Sequence, residues 1–156
     1  MAKKRRKPGR PARETGALPV IFRHRGGADV DLQLIPHAHL DKLVRGEGDE
    51  EAWHTLVFRL NCANAIANKE FSDQPAVQDE IEKAMVSMTE IGKRHKETGK
   101  FGCSGDQYRA ICEGLRLADE IQAATTRRQQ RGAYRWVYGQ VGGNTEMLDV
   151  MQRGTR

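Results

Sequence analysis

The stretch PAVQDEIEKAMVSMTEIGKRHKETG, residues 75–99, decides the fold. Val77, Ile81, Ala84, Met88 and Ile91 recur at steps of four, three, four and three. That spacing keeps one narrow apolar seam on a helix and surrounds it with charge, the pattern of helices packed against other helices. Pro75 is tolerated in a first helical turn, and Gly99 supplies a C-terminal stop. The spacing therefore predicts a helix over 75–98.

Reading forward, Ser104 is followed three residues later by Gln107, which fits a capping box. The helix it opens carries Tyr108, Ile111, Leu115, Ala118 and Ile121 or Gln122, and is predicted to continue to about Arg131 or Tyr138. Gly142-Gly143 breaks the chain, with a last short helix expected over 145–152. Reading backward, Asp49, Glu50 and Glu51 suit the positive end of a helix over 49–69. Trp53, Leu56, Leu60, Ala63 and Ala67 mark its apolar face, and Phe58, Cys62, Ala65 and Ile66 widen it. So much apolar surface predicts a central, largely buried helix.

Upstream of Pro36 the period changes. Val30, Leu32 and Leu34 alternate with Asp29, Asp31 and Gln33, which predicts a half-buried strand. Val20, Ile21 and Phe22 are its expected partner, with Gly26-Gly27 as the hairpin turn. A short helix over 37–46 then ends at Gly46. The expected fold is mainly α: a three-to-four-helix bundle with a small N-terminal β-hairpin and a disordered basic arm. The arm covers residues 1–17, the hairpin and bundle 18–139, and a C-terminal tail 140–156. No apolar run approaches the ~20 residues of a membrane span. The basic start lacks the apolar stretch of a secretory signal. Three cysteines at irregular spacing make no disulfide framework, so a reducing cytoplasm is expected, or a nucleus in a eukaryote.

The formal charge of +5 is unevenly spread. Residues 1–25 carry nine Lys/Arg against Glu14 alone, and residues 127–156 carry six against two acids. Between them the chain is acidic, at −7. Basic ends on an acidic body point to phosphate as the partner. Within the first end, KPGRPAR (residues 7–13) resembles an AT-hook, the short peptide that lays a Gly-Arg-Pro core into the minor groove of A·T-rich DNA. The resemblance covers about seven residues. It implies duplex DNA in preference to RNA, with Arg10 in the groove and Lys3, Lys4, Arg5, Arg6, Lys7 and Arg13 on phosphates. Pro8 stands where the family has a second arginine, which shifts the expectation towards phosphate contact.

The second basic stretch is TTRRQQRGAYRWVYGQ, residues 125–140. On a helix, Arg128, Arg131 and Arg135 share a face at i, i+3 and i+7, interleaved with Tyr134, Trp136 and Tyr138. Arginine offers bidentate phosphate contact and aromatics offer stacking on unpaired bases. The competing structural reading is that these arginines complement the negative end of the preceding helix while the aromatics seal the core.

Other motifs carry less. HAHLD (37–41) resembles the His-x-His-Leu-Asp of amidohydrolase metal sites, but that family uses a barrel of about 250 residues, which this chain is too short to form. His95, Cys103 and Cys112, with His54 or Cys62, lack the pairwise spacing of a zinc site. Asn61, Asn64 and Asn68, below His54, read as a solvent-facing edge in preference to an interhelical polar seam. Strand, short helix, longer helix is also the order of a ribbon-helix-helix repressor, yet Asp29 and Asp31 would be pressed towards phosphate. No nucleophile–base pair, Walker loop or paired-carboxylate motif appears. The sequence thus points to a non-catalytic nucleic-acid-binding protein without cofactor or metal. The alternative is a helical adaptor or assembly protein whose main partner is another protein. The narrow 77–91 seam and the expected hairpin edge are compatible with a homo-oligomer.

Overall fold

A computed structural model of the protein describes residues 28–142, with side chains from Gln33 to Gln140. The chain divides into two units at Leu32/Gln33, and the fold described below is that of the second. Among the described residues there are five helices: α1 (Ala28–Val44), α2 (Glu50–Glu70), α3 (Pro75–Thr98), α4 (Gly105–Ala124) and α5 (Arg127–Gly142). None of them is long and apolar enough to cross a membrane.

The helix ends follow local chemistry. Asp49 caps α2, its carboxylate accepting from the Ala52 amide at 2.8 Å. Glu50 and Glu51 follow in the first turn, where the helix dipole favours negative charge. Gly99 closes α3 at φ +72°, a left-handed backbone, and its amide donates to the His95 carbonyl at 2.7 Å. The capping box of α4 forms in both directions. The Gln107 amide donates to the Ser104 hydroxyl, and the Ser104 amide donates to the Gln107 side chain. Gly46 takes φ +76° just past the end of α1.

α2 lies against α3, α4 and α5, and α3 lies along α4. One apolar cluster joins Leu40 and Leu43 of α1 to Leu56 and Leu60 of α2, Met88 and Ile91 of α3, Phe101, and Ile111 and Leu115 of α4. A second joins Ala63, Ile66 and Ala67 to Ile81, Leu117, Ala118 and Ile121. Met85 packs against both. Of the seam, Ile81, Ala84, Met88 and Ile91 are essentially inaccessible and Val77 is partly buried; Leu60, Ile111 and Leu115 on the neighbouring helices are inaccessible too. Tyr108, placed on the same face by its spacing, is exposed.

Two glycines let the helices come this close. A Cβ on Gly114 would lie 2.5 Å from the Cβ of Ala84 and 3.0 Å from Leu60. A Cβ on Gly92 would lie 2.8 Å from the Trp53 ring, whose Nε1–H donates to the Met88 carbonyl at 2.9 Å. The α2–α3 and α3–α4 contacts are thus made partly through helix backbone.

Two expectations are corrected. Residues 29–34 do not form a strand: their backbone belongs to α1, which runs through Pro36 to Val44. No β-strand occurs among the described residues, where Gly48 and Phe101 make one isolated bridge. The expected partner strand, Val20–Phe22, lies outside the described residues. The reason is burial. Pro36, Leu40 and Leu43 stand at i, i+4 and i+7 and are buried together, whereas Leu34, assigned to the inner face of the strand, is 60% exposed. A core-facing helical register outweighs six residues of alternation and the hydrogen bond lost at the proline.

The second correction concerns the helix that opens at Ser104. It ends at Ala124, and a separate α5 begins at Arg127. Thr126 and Gln129 form a further capping box: the Gln129 amide donates to the Thr126 hydroxyl, and the Thr126 amide donates to the Gln129 side chain. The buried Gln130 amide then donates to the carbonyls of Gln122, at 2.8 Å, and Thr125, at 3.2 Å. These bonds help to satisfy the last carbonyls of α4, of which Gln122 also accepts from the Thr125 amide at 3.5 Å.

Candidate nucleic-acid interface

The break at 125–126 changes what the second basic stretch is. Its arginines open a helix, where they were expected to close one. α5 has four arginines and no acid, with Arg127 and Arg128 in its first turn. Cations there face the positive end of the helix dipole, which is electrostatically adverse. Helix stability therefore does not account for them, while an anion at this end would be attracted by both dipole and side chains.

α5 is docked by its other face. Gln130, Tyr134 and Val137, at i, i+4 and i+7, are buried. The Tyr134 ring stacks on Phe58 of α2, centroids 6.2 Å apart at 29°. Of the aromatics read as candidates for contact, Tyr134 is thus a core residue. Trp136 is 60% exposed, Tyr138 is partly exposed, and Arg128, Arg131 and Arg135 are all exposed.

The arginines of the body are otherwise employed. Arg45 pairs with Asp41, Arg109 with Asp106, and Arg116 with Glu113 and Glu120. Arg94 donates to the Gly102 carbonyl. Arg59, 7% exposed, donates to the Ala118 carbonyl and, at 2.9 Å, to Asp119. Every arginine from 45 to 116 therefore has a partner. Among the described residues Arg128, Arg131 and Arg135 form no ion pair.

A cleft of about 470 Å³ lies between the C-terminal half of α2 and α5; Arg128, Arg131 and Arg135 are outside its lining. Asn64, Ile66, Asn68, Lys69 and Glu70 line one wall, and Gln129, Gly132, Ala133 and Trp136 the other. The asparagines bond along their own helix: Asn61 donates to the Val57 carbonyl and Asn68 to Asn64 at 3.4 Å. They make no interhelical seam, but two of them line a cleft. The sequence did not reveal this role, since nothing in the spacing of 64 and 68 says that residues 129–136 fold against them.

The remaining candidates fall elsewhere. Lys3, Lys4, Arg5, Arg6, Lys7, Arg10 and Arg13 lie outside the described residues. His37 bonds Asp119 at 2.9 Å, so it ties α1 to α4. Burial lowers the pKa of His39, with Lys42 acting in the same direction, and burial lowers that of His54. His95 stacks on Phe101, centroids 3.7 Å apart. Burial pushes the Cys62 and Cys103 thiols up, which keeps them protonated and unreactive. Among the described residues no three His, Cys, Asp or Glu side chains come together as a metal-binding group.

Comparison with known proteins adds no assignment: no family model, no curated protein and no solved structure matches the chain.

Proposed function

We propose that this protein binds nucleic acid without catalysing a reaction, holding phosphates with the α5 arginine face and with the basic segment 3–13. One observation carries the reading: among the described residues Arg128, Arg131 and Arg135 stand exposed and form no ion pair, Arg128 in the first turn of α5, while every arginine from 45 to 116 is partnered. The acidic middle of the chain supports it by leaving the termini as the surfaces that attract a polyanion. The AT-hook-like KPGRPAR directs the expectation to DNA ahead of RNA.

Counterion release makes the reading quantitative. If segment 3–13 neutralises about five phosphates, log K on duplex DNA should fall against log salt with a slope contribution near −4 to −5. Replacing Arg128, Arg131 and Arg135 together by Gln should flatten the total slope by about 2–3 units. Titrations of the full chain and the triple variant against duplex DNA, single-stranded DNA and RNA at several salt concentrations measure both. Equal slopes for the two proteins would remove α5 from the interface. Failure of the full chain to bind any of the three at low salt would leave the adaptor reading in its place.

A further inference from the structure

The arginine face accounts for phosphate and for nothing more selective. The cleft beside it has features that phosphate does not require. Trp136 is among the most exposed large hydrophobic side chains of the described residues, and it stands on the rim of an open recess. Gly132, on the same wall, has no atom within 4 Å of where a Cβ would be. The recess is therefore unobstructed for a flat group lying against the indole.

The opposite wall is polar in a specific way. Asn68 donates to the Asn64 side-chain oxygen at 3.4 Å. A carboxamide has two N–H donors and one acceptor oxygen. Once the two are joined, Asn64 retains its donors and Asn68 retains its acceptor. Donor and acceptor then stand side by side on one wall, and this holds whichever way the pair is oriented. That is the complement of a nucleobase edge, which presents acceptor and donor groups next to each other. Phosphate has no donor to match it, and an aliphatic side chain has neither group.

Charge completes the arrangement. Arg128 and Arg135 stand at i−4 and i+3 from Gly132, so both are its neighbours on α5, outside the cleft's own lining. On the other wall Lys69 pairs with Glu70 at 4.0 Å, so the unbalanced positive charge is that of α5. A planar polar ring carried on a polyanion fits these three features together. We infer that the α2–α5 cleft seats an unpaired base of a single-stranded nucleic acid, stacked on Trp136 with its edge towards Asn64 and Asn68, and its flanking phosphates on Arg128 and Arg135. This inference rests on the nucleic-acid reading above and adds to it the substrate class. A base held in a duplex has its edge occupied and its faces covered, so it does not enter.

Four labelled probes of equal length separate the base from the phosphate: an oligothymidylate, an oligouridylate, an abasic strand and a duplex. Trp136→Ala should weaken binding of the two base-bearing strands about 10–100-fold, and should leave the abasic strand and the duplex unchanged. Trp136→Phe, which keeps a stacking face, should restore most of the loss. Gly132→Leu fills the recess without altering charge and favours the helix, so it should reproduce the selective loss in a well-folded protein. The thymidylate and uridylate arms report whether DNA or RNA is preferred. Uniform weakening of all four probes by Trp136→Ala, or no weakening of any, would overturn the base site and leave phosphate binding standing. Loss of all four in the Arg128/Arg131/Arg135 variant, with no base selectivity in the full chain, would have the same meaning. If the full chain binds none of the probes, both readings fall. If Trp136→Ala converts a dimer to a monomer in sedimentation, the cleft is covered by a second copy, and the base site is excluded.

Discussion

At the scale of single residues, the buried charge is the most consequential feature. The Arg59 guanidinium is buried in α2 and meets Asp119, which also accepts His37 from α1. Three helices converge on one carboxylate. The Arg59 Nε has no partner among the described residues, so the site has no spare acceptor. Asp119→Ala should therefore destabilise by about 1–3 kcal/mol in chemical denaturation. Replacing Arg59 by Met and Asp119 by Leu together should cost less than Asp119→Ala alone, because no charge is left buried without its partner. A double variant at least as unstable as the single one would show that the network contributes more than it costs. The histidines add a pH dependence. Burial lowers the folded-state pKa of His39 and His54 below 6.5, and both ring nitrogens of His54 are buried without partners. A depressed histidine favours the unfolded chain on protonation. Stability is thus complete above the unfolded value and declines as pH falls through about 6.5, until the folded pKa is passed. The denaturation midpoint should drop from about pH 7.5 to about pH 5.5, and His54→Gln should make that drop smaller.

At the scale of elements, the corner between α4 and α5 decides how the arginines are displayed. It contains neither Gly nor Pro. Two adjacent threonines make it, with Thr125 donating to the Ile121 carbonyl and Thr126 capping α5. Gln130 reaches back to close the end of α4. Gln130→Leu keeps the bulk but leaves the Gln122 carbonyl without its 2.8 Å donor. A loss of about 1–3 kcal/mol is expected. Since the same corner sets the arginine face, nucleic-acid affinity should fall with it. Unchanged affinity and stability together would show that the corner holds without this amide. The Thr-x-x-Gln signature of α5 is legible in the sequence, but it is masked there by a continuous run of helix-compatible residues on both sides. The Ser-x-x-Gln of α4 stands out because glycines and a cysteine precede it.

At the scale of the whole molecule, the core and the proposed nucleic-acid contact occupy different parts. The core is carried by α2, α3 and α4, around Leu60, which is fully buried among Met88, Ile111 and Leu115. Leu60→Ala should cost about 2–5 kcal/mol in denaturation. The α5 arginines, exposed and outside that cluster, should change stability by less than about 0.5 kcal/mol. The sequence alone determined the starts of α2, α3 and α4 and the end of α3, because the caps, Pro75 and Gly99 act within three or four residues. It also determined the buried seam, because a helical period needs no partner to be visible, and the separation of basic ends from an acidic body, which is a property of composition. Only the tertiary structure decided three things. It made 28–44 one helix, carrying the helix expected over 37–46 upstream through Pro36, which is buried with Leu40 and Leu43. It sorted the aromatics, with Tyr134 inward on Phe58 and Trp136 outward at a cleft. And it gave Arg59 its acid, Asp119, since that pair joins residues distant in the chain and a sequence displays only neighbours.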